Sequence, residues 1–177
     1  MQLGRLDFEA VHGRLDLVAE PVKAVLSEQA LTDVYVAAID PGLADTAAFC
    51  EHYAIGMDIS ANCVIVEAKR ADKVWYAACI ILATTRADVN NVVRKQLDAR
   101  KVSFAPMDKA VSMTGMEYGG ITPIGLPADW PILVDTKVLE AGNVIIGSGI
   151  RGSKLVVPAA LLGKLPNAQV LDIRIQS

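Results

Sequence analysis

Apolar positions follow two rhythms along the chain. Leu17, Val18, Val22, Val25 and Leu26 return at helical spacing, and the apolar run Asp33-Val-Tyr-Val-Ala-Ala-Ile-Asp40 is rich in β-formers. The pattern predicts a helix followed by a strand, punctuated by Pro41-Gly42. Asp45 stands where a carboxylate can accept the free N–H groups of a second helix running through Tyr53, with Gly56 as its stop. The strongest strand signal is the pair Asn62-Cys-Val-Ile-Val-Glu67 and Val74-Trp-Tyr-Ala-Ala-Cys-Ile-Ile-Leu82, joined by a short charged segment, which predicts a hairpin. Val89, Val92, Val93 and Leu97 share one face of an amphipathic helix over Arg86–Leu97, capped by Thr85. A short strand near Val102–Phe104 and a helix from Pro106 to Gly115 follow. The last third alternates apolar runs at Ile132–Asp135, Val144–Ile146, Leu155–Val157 and Val170–Ile173 with glycine-rich turns. No internal repeat or linker interrupts them. Strands and helices interleaved in this way predict one mixed α/β domain.

Composition narrows the function. In 177 residues, 53% are hydrophobic and 21% charged, enough apolar material for one sizeable core and too little length for a second full domain. With 17 Lys+Arg against 20 Asp+Glu the formal charge is −3, so a general DNA- or RNA-coating role is excluded and any nucleic acid must meet a local patch. Cys50, Cys63 and Cys79 form no CxxC pair, which argues against a disulfide framework or zinc knuckle and fits a reducing cytoplasm. Charges interrupt the first twenty residues, and no apolar run reaches the ~18 residues that would span a bilayer. The expectation is a soluble cytoplasmic protein with no membrane and no DNA partner.

Gly147-Ser148-Gly149-Ile150-Arg151-Gly152 spells G-x-G-x-x-G after a strand-like run. A dinucleotide site needs a helix to start there, whereas Ser-Lys-Leu-Val-Val-Pro follows, so a turn between two strands is the better reading. Gly119-Gly120-Ile121-Thr122-Pro123 opens a segment with three glycines and two prolines by Pro127, more than a plain reversal requires. Its backbone could approach a ligand closely. Side-chain nucleophiles are poorly supported: His12 and His52 have no partner motif, and Cys63 and Cys79 sit in apolar strands where a thiol behaves as a small hydrophobe. Arg94-Lys95 and Arg100-Lys101 form a local basic group that is either a solvated face or a phosphate contact.

Tyr118-Gly-Gly-Ile-Thr-Pro-Ile-Gly125, Pro131-Ile-Leu-Val-Asp135 and Val144-Ile-Ile-Gly-Ser-Gly-Ile-Arg-Gly152, in that order, resemble the YbaK/prolyl-tRNA synthetase-associated domain family of trans-editing aminoacyl-tRNA deacylases. The resemblance covers roughly residues 43–173. It implies a YbaK-like α/β domain over 43–177 with a curved, largely antiparallel mixed sheet and flanking helices, residues 1–42 being a helical lead-in and strand of the same domain. It also implies hydrolysis of the ester of a wrongly charged tRNA, the acylated tRNA 3′ end as partner, and neither metal nor cofactor. The glycine-x-x-x-proline loop of the family lines the aminoacyl pocket, here Gly119 to Pro123. The family commonly carries a lysine where Asn62 stands and often an acid where Lys154 stands.

Asn62 and the Gly120 backbone are therefore the candidate catalytic positions. Gly119, Ile121, Thr122 and Pro123 would shape one wall of the pocket and Gly147, Ser148 and Gly149 the opposite wall, with Lys154 beside them and Asp135 a further candidate. The other reading is a noncatalytic module of the same fold that binds an aminoacyl group, a tRNA 3′ end or a small metabolite.

Overall fold

Nearly continuous apolar strands must be covered on both faces, and the chain does this by stacking layers. The structure, a computed structural model, describes residues 1–29 and 31–176. The strands are β1 (Gln2–Leu3), β2 (Leu6–Asp7), β3 (Glu9–Ala10), β4 (Tyr35–Ala38), β5 (Ala61–Arg70), β6 (Lys73–Leu82), β7 (Lys101–Phe104), β8 (Ile132–Asp135), β9 (Asn143–Gly147), β10 (Ser153–Pro158) and β11 (Ala168–Leu171). The helices are α1 (Glu20–Glu28), α2 (Thr46–Tyr53), α3 (Arg94–Gln96), α4 (Met107–Thr114), α5 (Thr136–Leu139) and α6 (Ala159–Leu162).

The fold is mixed α/β with mostly antiparallel strands, as expected, but the strands divide between two principal sheets. One has the order β3-β4-β10-β9 and the other β11-β8-β6-β5-β7, with a separate β1-β2 ribbon. Among the described strands, the β6–β8 and β8–β11 pairings are parallel and the rest antiparallel. A bridge between Ser60 and Ile145 ties the two sheets together just before β5. The strand β4, from the lead-in segment, pairs with β10 from Ala38↔Ser153 to Tyr35↔Val156.

Alternation along each strand feeds separate cores. Ile65, Ala78, Ile80, Val134, Ile146, Leu155 and Val157 meet between the sheets with Val22 and Leu26 of α1. Val66, Ala68, Ala77, Cys79 and Leu133 face the other way, onto Val89, Val93 and Leu97. On the far side of the four-stranded sheet, Ala37, Ile145 and Val156 pack on Phe49 and Cys50 of α2.

Several local expectations change. The segment expected as one helix over Arg86–Leu97 is a π-helical turn, Val89–Val93, continued by the short α3. Its start is capped by Asp88, whose carboxylate accepts from the Asn91 N–H, while the Thr85 hydroxyl donates to Leu82 instead. Asp45 does occupy the N-cap position of α2 but makes no capping hydrogen bond, and α2 ends at Ala54, at φ +56°, before reaching Gly56. Gly147 ends β9 and residues 148–152 connect it to β10 as a hairpin, as the strand-turn-strand reading required.

Candidate active site

The two sheets meet at the start of β5, and a cavity of about 310 Å³ opens there. Its wall is assembled from ends of elements: Ala44, Asp45 and Thr46 at the start of α2, Ala61 to Ile65 of β5, Phe104 and Ala105 after β7, Ala110 of α4, and Tyr118, Gly119, Ile121, Gly147 and Lys154.

Lys154 is the principal charge inside it. β10 is covered on both faces, so the side chain is held at 7% exposure, with its Nζ donating to the Ala44 carbonyl at 3.0 Å and lying 5.4 Å from the Phe49 ring centroid. Burial pulls its pKa below the ordinary lysine range; Cys50 and Asp45 oppose that pull and Arg151 adds to it. Across the cavity, the Thr46 hydroxyl donates to Asn62 Oδ1 at 2.6 Å. Its carbonyl side is thereby fixed, and the amide nitrogen keeps its donors without a protein partner among the described residues.

The two glycine segments converge, though not across a hollow. They are knitted into one wall by backbone hydrogen bonds: Gly149 N–H to Gly120 O at 2.7 Å, Glu117 N–H to Gly149 O at 2.9 Å and Gly120 N–H to Glu117 O at 2.9 Å. The Glu117 carboxylate accepts from the Arg151 N–H at 2.8 Å, and the Arg151 guanidinium donates to the Tyr118 and Pro41 carbonyls. Gly119 sits at φ +91°, a conformation that glycine adopts at little cost.

Of the residues singled out from the sequence, Asn62, Gly119, Ile121, Gly147 and Lys154 line the cavity. The others do not. A Cβ on Gly120 would fall 2.5 Å from the Ile150 carbonyl oxygen, so packing against the β9–β10 connection is enough to require glycine there. Gly149 likewise packs against Ala19 at the start of α1. The Ser148 hydroxyl donates to the Ile150 and Ser153 carbonyls and accepts from the Ser153 hydroxyl, all within the hairpin. Thr122 is fully buried with its Oγ1 lacking a hydrogen-bond partner among the described residues, and Pro123 lies beside it off the wall. Asp135 is buried at the end of β8, accepting from the Ile173 N–H at 2.9 Å and pairing with Arg174, so its role is structural.

Sequence reasoning missed Ala44, Thr46, Phe104, Ala105 and Ala110, and gave Tyr118 no role of its own although it opens the glycine-loop motif. The first five belong to no local motif and come together only through the packing of α2, α4 and β7 around β5. Cys63 also lines the wall, but burial drives its thiol pKa far up, as burial pushes Cys79 up to about 12. Neither is a thiolate nucleophile near neutral pH. Among the described residues no group of three His, Cys, Asp or Glu side chains is placed to hold a metal ion, and no helix is long and apolar enough to cross a membrane.

The cavity thus offers one buried cation, one amide with free donors and a close-packed glycine wall, in a space suited to a small polar-headed ligand. The aminoacyl-tRNA editing domain family matches the chain over residues 40–165, and the chain belongs to that family. Solved structures agree on the fold. One is a proposed trans-editing enzyme for prolyl tRNA synthetase, with TM-score 0.75 and 15% identity over 88% of this chain and 96% of that one. A second, described only as a hypothetical protein, has TM-score 0.77 and 20% identity over 88% of this chain and the whole of the other.

Proposed function

We propose that the protein is an aminoacyl-tRNA deacylase acting in trans, which hydrolyses the ester between a small, wrongly attached amino acid and the tRNA 3′ end. The observation that carries this reading is the joint presence of Lys154 and Asn62 in one small cavity beside the Gly119 loop. The cavity, about 310 Å³, lies at the lower end of the range of roughly 300–1,000 Å³ typical of small-molecule sites. Alanines at 44, 61, 105 and 110 form much of its wall. A side chain too large for that space would be refused by overlap, whereas a smaller one would lose only about 1–3 kcal/mol per missing methylene.

The chemistry needs no protein nucleophile. Water adds to the ester carbonyl carbon, the bond to the ribose oxygen breaks, and the proton released by the water passes to that departing oxygen, with the neighbouring ribose hydroxyl as carrier. Lys154 Nζ, already donating to Ala44, has hydrogens left for the oxygen that gains charge in the transition state. The Asn62 amide would orient the acyl group or the ribose.

Release of amino acid from a panel of matched and mismatched aminoacyl-tRNAs tests the proposal. Turnover confined to small acyl groups is the expected result. Tight binding with no release across the panel would instead make the protein a noncatalytic module, a reading favoured by Asn62 standing where the family resemblance implies a lysine.

A further inference from the structure

A conflict of charge lies on the sheet face that continues outward from the cavity. Lys69 of β5 and Lys101 of β7 are directly opposite one another in the antiparallel register, so both side chains emerge on the same face. Like charges in that position destabilise a sheet, and both lysines are exposed. A third cation is brought to the same place by α4: Lys109, next to the cavity-lining Ala110. Glu67 holds the group together. Its buried carboxylate accepts from the Tyr76 hydroxyl at 2.8 Å and lies 3.3 Å from Lys69 Nζ and 3.4 Å from Lys109 Nζ. One carboxylate thus positions two lysines while the third, Lys101, has no acidic partner among the described residues. The chain as a whole carries a formal charge of −3, so three clustered cations are a local departure from its composition.

We propose that Lys69, Lys101 and Lys109 form a docking site for the phosphates of the single-stranded tRNA 3′ end, whose acylated terminus enters the cavity. The assignment rests on the deacylase reading for the occupant of the cavity. Residues 65, 67 and 69 point to one face of β5; Ile65 borders the cavity, and Lys109, which meets Glu67 on that face, adjoins the lining residue Ala110, so the lysines lie beside the cavity. From Ile65 to Lys69 is about 13 Å at roughly 3.3 Å per residue. That distance is within reach of the few unpaired nucleotides next to an acylated terminus. Phosphate bound between Lys69 and Lys101 relieves their repulsion, which turns a defect of the free protein into affinity.

Lys101→Glu separates this role from a structural one, because it places an opposite charge across from Lys69. Its melting temperature should equal or exceed that of the wild type, while its Kd for uncharged tRNA rises roughly tenfold at about 50 mM salt. Lys101→Gln should give a smaller rise and lower the slope of log K against log salt by about 0.7, the value for one phosphate contact on a single strand. Both variants should hydrolyse a small aminoacyl ester lacking any nucleic acid at the wild-type rate. Wild-type tRNA affinity in Lys101→Glu, or no measurable tRNA binding by the wild type at low salt, overturns the docking site and leaves the deacylase reading to ester release. Loss of tRNA binding in the variants, with no ester turnover even in the wild type, keeps the docking site and removes the deacylase.

Discussion

The carbonyl oxygen of Gly120 occupies the space a Cβ on Gly147 would need, 2.5 Å from that position. The same oxygen accepts from the Gly149 N–H at 2.7 Å, so three glycines serve a single contact between the 117–121 loop and the β9–β10 hairpin. Gly120→Val and Gly147→Ala should therefore act first on stability. Neither backbone can yield without breaking the hydrogen bond, and a loss of at least about 2 kcal/mol is expected from overpacking. Urea unfolding of both variants checks this. A Gly120→Val protein with wild-type stability and no hydrolysis would return Gly120 to the ligand wall.

Lys154 couples stability to pH. Its folded-state pKa lies below the ordinary lysine value of 10.5, chiefly because burial penalises the charged form. Between the two values the unfolded chain binds more protons than the folded one, so the folding free energy contributed by this residue improves as pH rises through that window. Lys154→Met has no such group and should show a flatter profile on the alkaline side. At neutral pH it should be at least as stable as the wild type, since a buried charge with one carbonyl partner is replaced by an apolar chain of similar volume. Its deacylation should fall by roughly 10²-fold or more, the cost of losing one donor to a developing oxyanion. Unfolding curves across the alkaline range, with hydrolysis rates alongside, measure both effects.

How legible this was from the sequence differs between elements for physical reasons. The β5–β6 hairpin was readable because long β-branched and apolar runs flanking a short charged segment allow little else, and only its turn proved tighter, at Ala71-Asp72. The π-helical turn was not. Val89, Val93 and Leu97 share a face at steps of four whether the backbone winds as α or π, so periodicity cannot tell the two apart. At the site, glycine density pointed to the right segments and left the meaning of each glycine open. Gly119 borders the cavity and Gly120 borders the backbone of the β9–β10 connection, yet both are simply glycine in sequence. Phe104 had no local signal, because the end of β7 meets the Tyr118–Gly119 loop only after folding.

Asn62 is held by its oxygen, so its contribution resides in the amide nitrogen. Asn62→Asp keeps the size of the side chain but puts an acceptor where the free donors were, next to a cavity whose cation is Lys154. Turnover should drop more in Asn62→Asp than in Asn62→Ala, for which the loss of one hydrogen bond of about 1–1.5 kcal/mol predicts roughly a tenfold decrease. Single-turnover hydrolysis of a misacylated tRNA, with tRNA affinity measured in parallel, gives the comparison. An unchanged rate in both variants would remove Asn62 from the reaction.

Thr122 and Asp135 are buried polar residues whose substitutions should move stability in opposite directions. The Thr122 Oγ1 has no hydrogen-bond partner among the described residues, and replacing the side chain by the similarly shaped valine removes an unsatisfied buried group. Thr122→Val should raise the unfolding free energy by about 1 kcal/mol. Asp135 is fully buried yet satisfied, accepting from the Ile173 N–H and facing the Arg174 guanidinium at 3.2 Å. Asp135→Ala would orphan that N–H and leave Arg174, whose side chain is 19% exposed, with the exposed Asp172 carboxylate and the Thr136 hydroxyl, each at 3.2 Å. A loss of roughly 2–4 kcal/mol follows, below the upper range for a broken buried pair because Arg174 retains some water and these other partners. Neither side chain lines the cavity, so deacylation by the folded fraction should match the wild type in both. Chemical denaturation sets the two stabilities, and a rate lost in Asp135→Ala beyond its unfolded fraction would bring β8 into the active site after all.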